Sequence, residues 1–140
     1  MAETTERYWV TSKLEKLQFS EIVRLLRLTR WAKDRPEAII RRSVDHSLNF
    51  GVFVGEKQVG YARVVTDYTL FAYLCDVIID PEYRGRGLAK LLIREITAHP
   101  DLQSLRRFFL HTLNAQPLYR QFGFENMQVP AHYMEIFHGG

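Results

Sequence analysis

Cysteine is almost missing from this chain: Cys75 stands alone among 140 residues. One thiol excludes an internal disulfide and a CxxC zinc pair, and it offers no sign of an oxidising compartment, so a reducing cytoplasm is the default expectation. No apolar run approaches the ~18 residues of a membrane span, and Met1 to Arg7 are polar and charged, unlike a secretory leader. The five histidines show no ligand spacing with acidic residues, so no metal is indicated. A large excess of one charge is also missing. The net charge of +3 suits an anionic small molecule but falls short of a nucleic-acid surface, and the pairs Arg41-Arg42 and Arg106-Arg107 accompany no recognition module.

What is present is ordinary globular composition, with 46% hydrophobic and 25% charged residues, which leaves disorder without support. Chains of this length bury about two thirds of their unfolded surface around one core, so a single domain over residues 1–140 is expected. No internal repeat or linker interrupts it.

Tyr8-Trp9-Val10-Thr11 reads as a first strand. Ser20 then caps a stretch whose Ile22, Val23, Leu25, Leu26 and Leu28 fit one helical face. A second helix starts at Pro36, whose missing N–H suits a first turn, after a loop from Thr29 to Arg35. Phe50 to Val54 and Val59 to Val65 are rich in β-branched and aromatic residues and flank Gly55-Glu56-Lys57, which predicts a hairpin. Phe71 to Ile79 is apolar on both faces apart from Asp76, as a central strand covered on both sides should be. A helix from Gly87 to about Ala98 turns Leu88, Leu91, Leu92 and Ile96 inward. Arg107 to Leu113 reads as a strand, Asn114 as the cap of a short helix through Phe122, and Gly123 as its left-handed end. Val129 to Phe137 is expected to return as a last strand. The order β-α-α-β-β-β-α-β-α-β predicts an α/β (α+β) domain with a mixed central sheet flanked by helices.

One segment has an evident chemical use. After the strand ending at Asp80-Pro81 comes Arg84-Gly85-Arg86-Gly87, and then a helix. A helix start leaves N–H groups without internal partners and carries roughly half a positive charge, so it receives an anion. Gly85 and Gly87 let the backbone approach a ligand and adopt dihedrals that side chains forbid, while Arg84, Arg86 and Lys90 add charge. A dinucleotide fingerprint needs Gly or Ala where Lys90 stands, and a P-loop needs a Gly-Lys-Ser/Thr that is absent, so both are disfavoured. By itself, Gly-x-Gly is also compatible with a tight turn and nothing more.

The flanking residues decide for a family. Arg84-Gly85-Arg86-Gly87-Leu88-Ala89, after the apolar Val77-Ile78-Ile79-Asp80-Pro81, resembles the GNAT acetyltransferase pattern Arg/Gln-x-x-Gly-x-Gly/Ala. Asn114-Ala115-Gln116-Pro117-Leu118-Tyr119-Arg120-Gln121-Phe122-Gly123-Phe124 resembles that family's second signature. The resemblance covers about Gly51 to Phe124 and implies a GNAT fold and acetyl-CoA as co-substrate. It implies that backbone groups of Val77, Ile78 and Ile79 pair with the pantetheine arm, and that Arg84, Gly85, Arg86, Gly87, Leu88, Ala89 and Lys90 hold the pyrophosphate. Asn114 would lie near the pantetheine, although Asn-Ala-Gln-Pro stands where many relatives carry Asp-Ala-His-Gly. Tyr119 matches the family's general acid; its other reading is a core aromatic at helical spacing.

The implied activity is an N-acetyltransferase in which a primary amine attacks the thioester directly, Tyr119 serves the leaving sulfur, and a backbone N–H near Val77 to Ile79 polarises the carbonyl. Asp76, a carboxylate in a central strand, is read either as the base or cation-binding group or as an ion-pair partner of Arg63. Trp31 and Arg35 fall in the inter-helix loop that in this family forms one wall of the acceptor site. Tyr73, with Tyr68, lines the same cleft or is an ordinary sheet residue. Cys75, adjacent to Asp76, is expected on the opposite face as a small buried hydrophobe, and His111 is read as a strand residue. The expected partner is a small-molecule or peptide amine, with no nucleic acid and no membrane. Homodimers are common among relatives, but no surface stripe in the sequence carries that expectation. The alternative function is a non-catalytic acetyl-CoA-binding sensor or regulatory module.

Overall fold

The computed structural model describes residues 7–139, so the ends of the expected 1–140 domain lie outside the described residues. Five strands form one sheet in the order β1-β2-β3-β4-β5: β1 (Tyr8–Thr11), β2 (Leu48–Val54), β3 (Lys57–Thr66), β4 (Phe71–Ile79) and β5 (Arg107–Leu110). The first four pair antiparallel and β5 joins β4 in parallel, which makes the sheet mixed.

Each face of the sheet carries its own core. Phe50, Val52, Ala62, Val64, Ala72 and Leu74 pack with Leu88, Leu92, Ile93 and Ile96 of α3 (Leu88–Thr97) on one side. On the other, Tyr61 and Ile78 meet Ile22, Leu25 and Leu26 of α1 (Phe19–Leu26), with Ile40 and Val44 of α2 (Glu37–Asp45). This two-sided burial explains the near-continuous apolar texture of β4. A one-turn helix, α4 (Gln116–Arg120), follows β5.

Several boundaries differ from the sequence expectation. Ser20 lies inside α1, and the cap position belongs to Gln18. The reason is tertiary: Gln18 N–H donates to Gln58 Oε1 at 2.8 Å, and Gln58 N–H donates back to Gln18 Oε1 at 3.1 Å, so β3 anchors the helix start. Leu28 falls beyond α1 and is half exposed. Pro36 occupies the cap of α2, one residue before its first turn. β5 stops at Leu110, short of Leu113, because the chain turns there and Thr112 Oγ1 accepts the Ala115 N–H at 3.1 Å. Ala115, not Asn114, therefore caps α4.

The largest correction concerns Val129 to Phe137. Pro130, which lacks a donor, opens a single 3-10 turn over Pro130–His132, and the residues after it pair with no strand among the described residues.

Candidate active site

The site begins with a flaw in the ladder between β3 and β4. Tyr61 faces Ile78 and Arg63 faces Cys75, so Ala62 alone opposes both Asp76 and Val77. This is a β-bulge, and its extra residue, Asp76, has φ of 56°, a left-handed conformation uncommon for a residue with a side chain. Such strain persists only where surroundings hold it.

Three donors do so. Arg63 Nε reaches Asp76 Oδ2 at 2.9 Å, Arg35 Nη1 reaches the same oxygen at 3.1 Å, and Trp31 Nε1 donates to Oδ1 at 2.9 Å. The Asp76 side chain is 3% exposed. Burial pushes its carboxyl up, but the charges of Arg63 and Arg35, with hydrogen bonds from Arg63 and Trp31, hold it below the usual carboxylate range. The ion pair with Arg63, one of the two roles read for Asp76, is therefore present.

The bulge also corrects the placement of Cys75. Because Cys75 stands opposite Arg63, and Arg63 binds Asp76, the two neighbours lie on one side of β4 instead of on opposite faces. Cys75 is half-buried, and burial pushes its thiol up to about 11. A thiol so seldom ionised near neutral pH is a poor nucleophile.

The second element of the site is a splay. Parallel pairing joins Phe71–Leu74 to Arg107–Leu110 and then ends, so among the described residues no strand lies beside the β5 side of β4 from Cys75 to Ile79. A cleft of about 740 Å³ opens there. Val77, Ile78 and Ile79 line one wall, Ala115, Leu118 and Tyr119 another, and Trp31 comes in from the α1–α2 connection.

The start of α3 forms the remaining wall. Arg84, Gly85, Gly87, Leu88, Ala89 and Lys90 all line the cleft. Gly85 and Gly87 have φ of 77° and 76°, as the sequence reading required of this turn, and a Cβ at either would meet no protein atom within 4 Å. What a side chain there would occupy is open space at the helix mouth. The first α3 ladder bond runs from Leu91 N–H to Gly87 O at 3.0 Å, so the amides of Leu88, Ala89 and Lys90 precede it. No acidic side chain stands in that first turn. The mouth thus keeps its donors and its positive dipole end.

Tyr119 joins this wall with its ring buried against Phe124. Among the described residues its hydroxyl has no hydrogen-bond partner, and burial raises its pKa. The remaining candidates lie elsewhere. Arg86 turns its guanidinium away from the cleft, onto the Tyr8 hydroxyl at 2.7 Å and over the Tyr83 ring. Asn114 is exposed and outside the cleft lining, one residue before Ala115. Arg35 reaches the site only through Asp76. Tyr73 stacks with Phe109, whose ring also meets Phe71 and Tyr133, and His111 is exposed just past the end of β5.

Sequence reasoning passed over Tyr83, Leu28, Thr29 and Arg30, which also line the cleft. Tyr83 had a usable signal, an aromatic directly before the glycine turn; the other three depend on how the α1–α2 connection folds over β4. Among the described residues, no group of three or more His, Cys, Asp or Glu side chains is placed to hold a metal, and no helix is long and apolar enough to cross a membrane.

The acetyltransferase (GNAT) family model matches residues 11–124. The chain belongs to this family. It is similar over nearly its full length to a crystal structure of a protein from Xanthomonas campestris pv. campestris placed in the GNAT family, with 46% identity, a TM-score of 0.92, and 98% of this chain and 97% of that chain covered. An aminoglycoside N-acetyltransferase solved in complex with CoA shares the fold alone, at 16% identity and a TM-score of 0.70, with 100% and 99% of the two chains covered. Among curated sequences, GCN5-related N-acetyltransferase 2 of Arabidopsis thaliana is 43% identical over 47 residues, 30% of this chain and 18% of that protein. A ycf52-like N-acetyltransferase of Prochlorococcus marinus is 32% identical over 90 residues, 61% of this chain and 49% of that protein. The chain spans about half or less of the length of these curated relatives. GNAT enzymes are acetyltransferases with acetyl-CoA as donor, and the α+β domain with a five-stranded mixed sheet agrees with membership.

Proposed function

We propose that this chain transfers an acetyl group from acetyl-CoA to the primary amine of a small-molecule or peptide acceptor, without a covalent enzyme intermediate. The single observation that carries the reading is the shared cleft: the partnerless half of β4, the glycine turn with the mouth of α3, and the Tyr119 ring line one continuous space.

The arrangement suggests a division of labour. Backbone groups of Val77 to Ile79 would hydrogen-bond the pantetheine arm as an added strand would. Arg84 and Lys90, with the amides of Gly85 to Lys90, would hold the pyrophosphate by charge-assisted hydrogen bonds of about 1.5–3 kcal/mol each. The Arg86 guanidinium, already engaged by Tyr8, would contribute through its backbone instead. Asn114 has little part in this scheme.

In the chemical step the neutral amine nitrogen attacks the thioester carbonyl carbon, a C–N bond forms, and the C–S bond breaks. Sulfur leaves with the bonding electrons and takes a proton from the Tyr119 hydroxyl, which recovers one from the nitrogen through water. Burial keeps that hydroxyl protonated, as an acid must be. Asp76 suits a positioning role better than that of a base. A carboxylate already bound by two guanidinium groups and an indole has little proton affinity left, whereas the bulge it stabilises adjoins Val77, which lines the cleft. Trp31 would border the acceptor on that side, with Arg35 acting only through Asp76, and Tyr73, packed on Phe109, would have no direct part.

Thiol release from acetyl-CoA across a panel of primary amines tests the reading. Release dependent on one amine class supports it; tight acetyl-CoA binding with no release across the panel supports a non-catalytic binding module instead.

A further inference from the structure

Asp80, the residue just past the end of β4, is a buried carboxylate that takes no part in the chemical step. A charge persists out of water where it is paired and hydrogen-bonded, and Asp80 is both. Its Oδ2 lies 2.9 Å from Nη2 of Arg24 on α1, and its Oδ1 accepts the Glu82 N–H at 3.0 Å. Its own N–H donates to the Val59 carbonyl of β3 at 2.8 Å, and its carbonyl accepts the Tyr83 N–H at 2.8 Å. Burial pushes the carboxyl up, but the Glu82 N–H and Arg24 hold it below the usual carboxylate range, so it stays charged at neutral pH. Arg24 is held in turn, since its Nε donates to Glu21 Oε2 at 2.8 Å.

These contacts matter because of what the glycine turn cannot do for itself. An anion cradle keeps its N–H groups for the ligand, so they cannot also bond the turn into shape. Gly85 and Gly87, at positive φ with open space where a side chain would stand, add backbone freedom. Ordering such a segment at the moment of binding costs affinity, so a tight site has its shape set in advance from outside. On the helix side, Leu88 is buried in the core beneath α3. On the strand side, the fixed point is Asp80, bonded at once to α1, to β3 and to the 3-10 turn over Pro81–Tyr83.

We propose that Arg24 and Asp80 are positioning residues for the donor: their ion pair pins the root of the glycine turn to α1 and so presets the amides at the mouth of α3 for the pyrophosphate. Neither side chain lines the cleft, so both act through the turn. The inference rests on the reading of that mouth as the pyrophosphate site.

Two fragments of the donor separate positioning from general stability: inorganic pyrophosphate, which needs the turn, and S-acetylpantetheine, which needs the edge of β4. Amide chemical shifts of the isotope-labelled protein report each Kd even when binding is weak, at Gly85, Gly87 and Lys90 for the first and at Val77 to Ile79 for the second. Arg24→Met, at a side chain 39% exposed, should raise the pyrophosphate Kd about tenfold and leave the S-acetylpantetheine Kd within a factor of about two, with Arg24→Lys recovering most of the loss. Asp80→Asn keeps an acceptor for the Glu82 N–H but loses the charge; it should reproduce Arg24→Met, and the double variant should bind pyrophosphate no worse than either single one. Equal pyrophosphate affinity in the wild type and Arg24→Met overturns the inference and leaves the anion site standing. Parallel weakening of both ligands overturns it as well, by showing a general loss of structure. Turn amides of the wild type that do not respond to pyrophosphate overturn the anion site itself, and the inference with it.

Discussion

Trp31 donates its indole N–H to Asp76 at 2.9 Å and so ties the connection between α1 and α2 to the bulge in β4. Two segments 45 residues apart in sequence thereby form one side of the cleft. The shape of the site consequently depends on a polar cluster as well as on the two apolar cores, whose Ile78, Ile79, Leu88 and Tyr119 also line the cleft.

Removing the carboxylate should be costly. Asp76→Ala leaves Arg63 and Arg35 without a counter-charge at side chains only 17% and 21% exposed, and breaking such a pair costs about 3 kcal/mol. Asp76→Asn should cost less, because Asn tolerates positive φ and retains hydrogen bonding. Urea denaturation of the two variants beside the wild type checks the order.

The same carboxylate predicts an acid-labile component of stability. Its pKa in the folded protein is lowered from an unfolded value of about 3.9. Its contribution is therefore complete above that value and is lost as pH falls through the lowered native one. Below about pH 4, wild-type stability should decline more steeply than that of Asp76→Asn, measured as urea midpoints between pH 7 and pH 2.

Trp31→Phe keeps an apolar ring and deletes the donor. Loss of a hydrogen bond to a charged group at a half-exposed residue should cost about 1 kcal/mol. Combined with Asp76→Ala, the two losses should fall short of additivity by a similar amount, since the second change removes a contact the first has already broken.

Tyr119→Phe should lower kcat by about 100-fold while acetyl-CoA affinity stays within a factor of two, because one acid–base group contributes on the order of 10² to 10⁴ in rate. Unchanged kcat would remove Tyr119 from the mechanism. Steady-state kinetics with the best amine of the panel, alongside a binding titration, supply both numbers.

Much of the fold was legible because its signals are local. The β2–β3 hairpin is announced by β-branched and aromatic runs around Gly55-Glu56, β4 by its two-sided apolar pattern, and α3 by Leu88, Leu92 and Ile96 at helical spacing. The glycine turn was legible for the same reason: Gly85 and Gly87 adopt the positive φ that their residue type permits. What escaped depends on tertiary partners. The start of α1 is fixed by Gln58, 40 residues away, and Ser20, a good local cap, loses to it. The face of Cys75 could not be read by alternation, because the bulge at Asp76 breaks the two-residue period. Val129 to Phe137 has strand composition, but whether it pairs depends on the partner edge available to it.

The account rests on the mouth of α3 as an anion site opened by Gly87. Calorimetric titration with acetyl-CoA at low ionic strength, of the wild type and of Gly87→Val, tests it most directly. Binding in the roughly micromolar range, weakened at least about tenfold by the side chain that the left-handed φ disfavours, is the expected result. No heat with the wild type, or equal affinity in the variant, would contradict it.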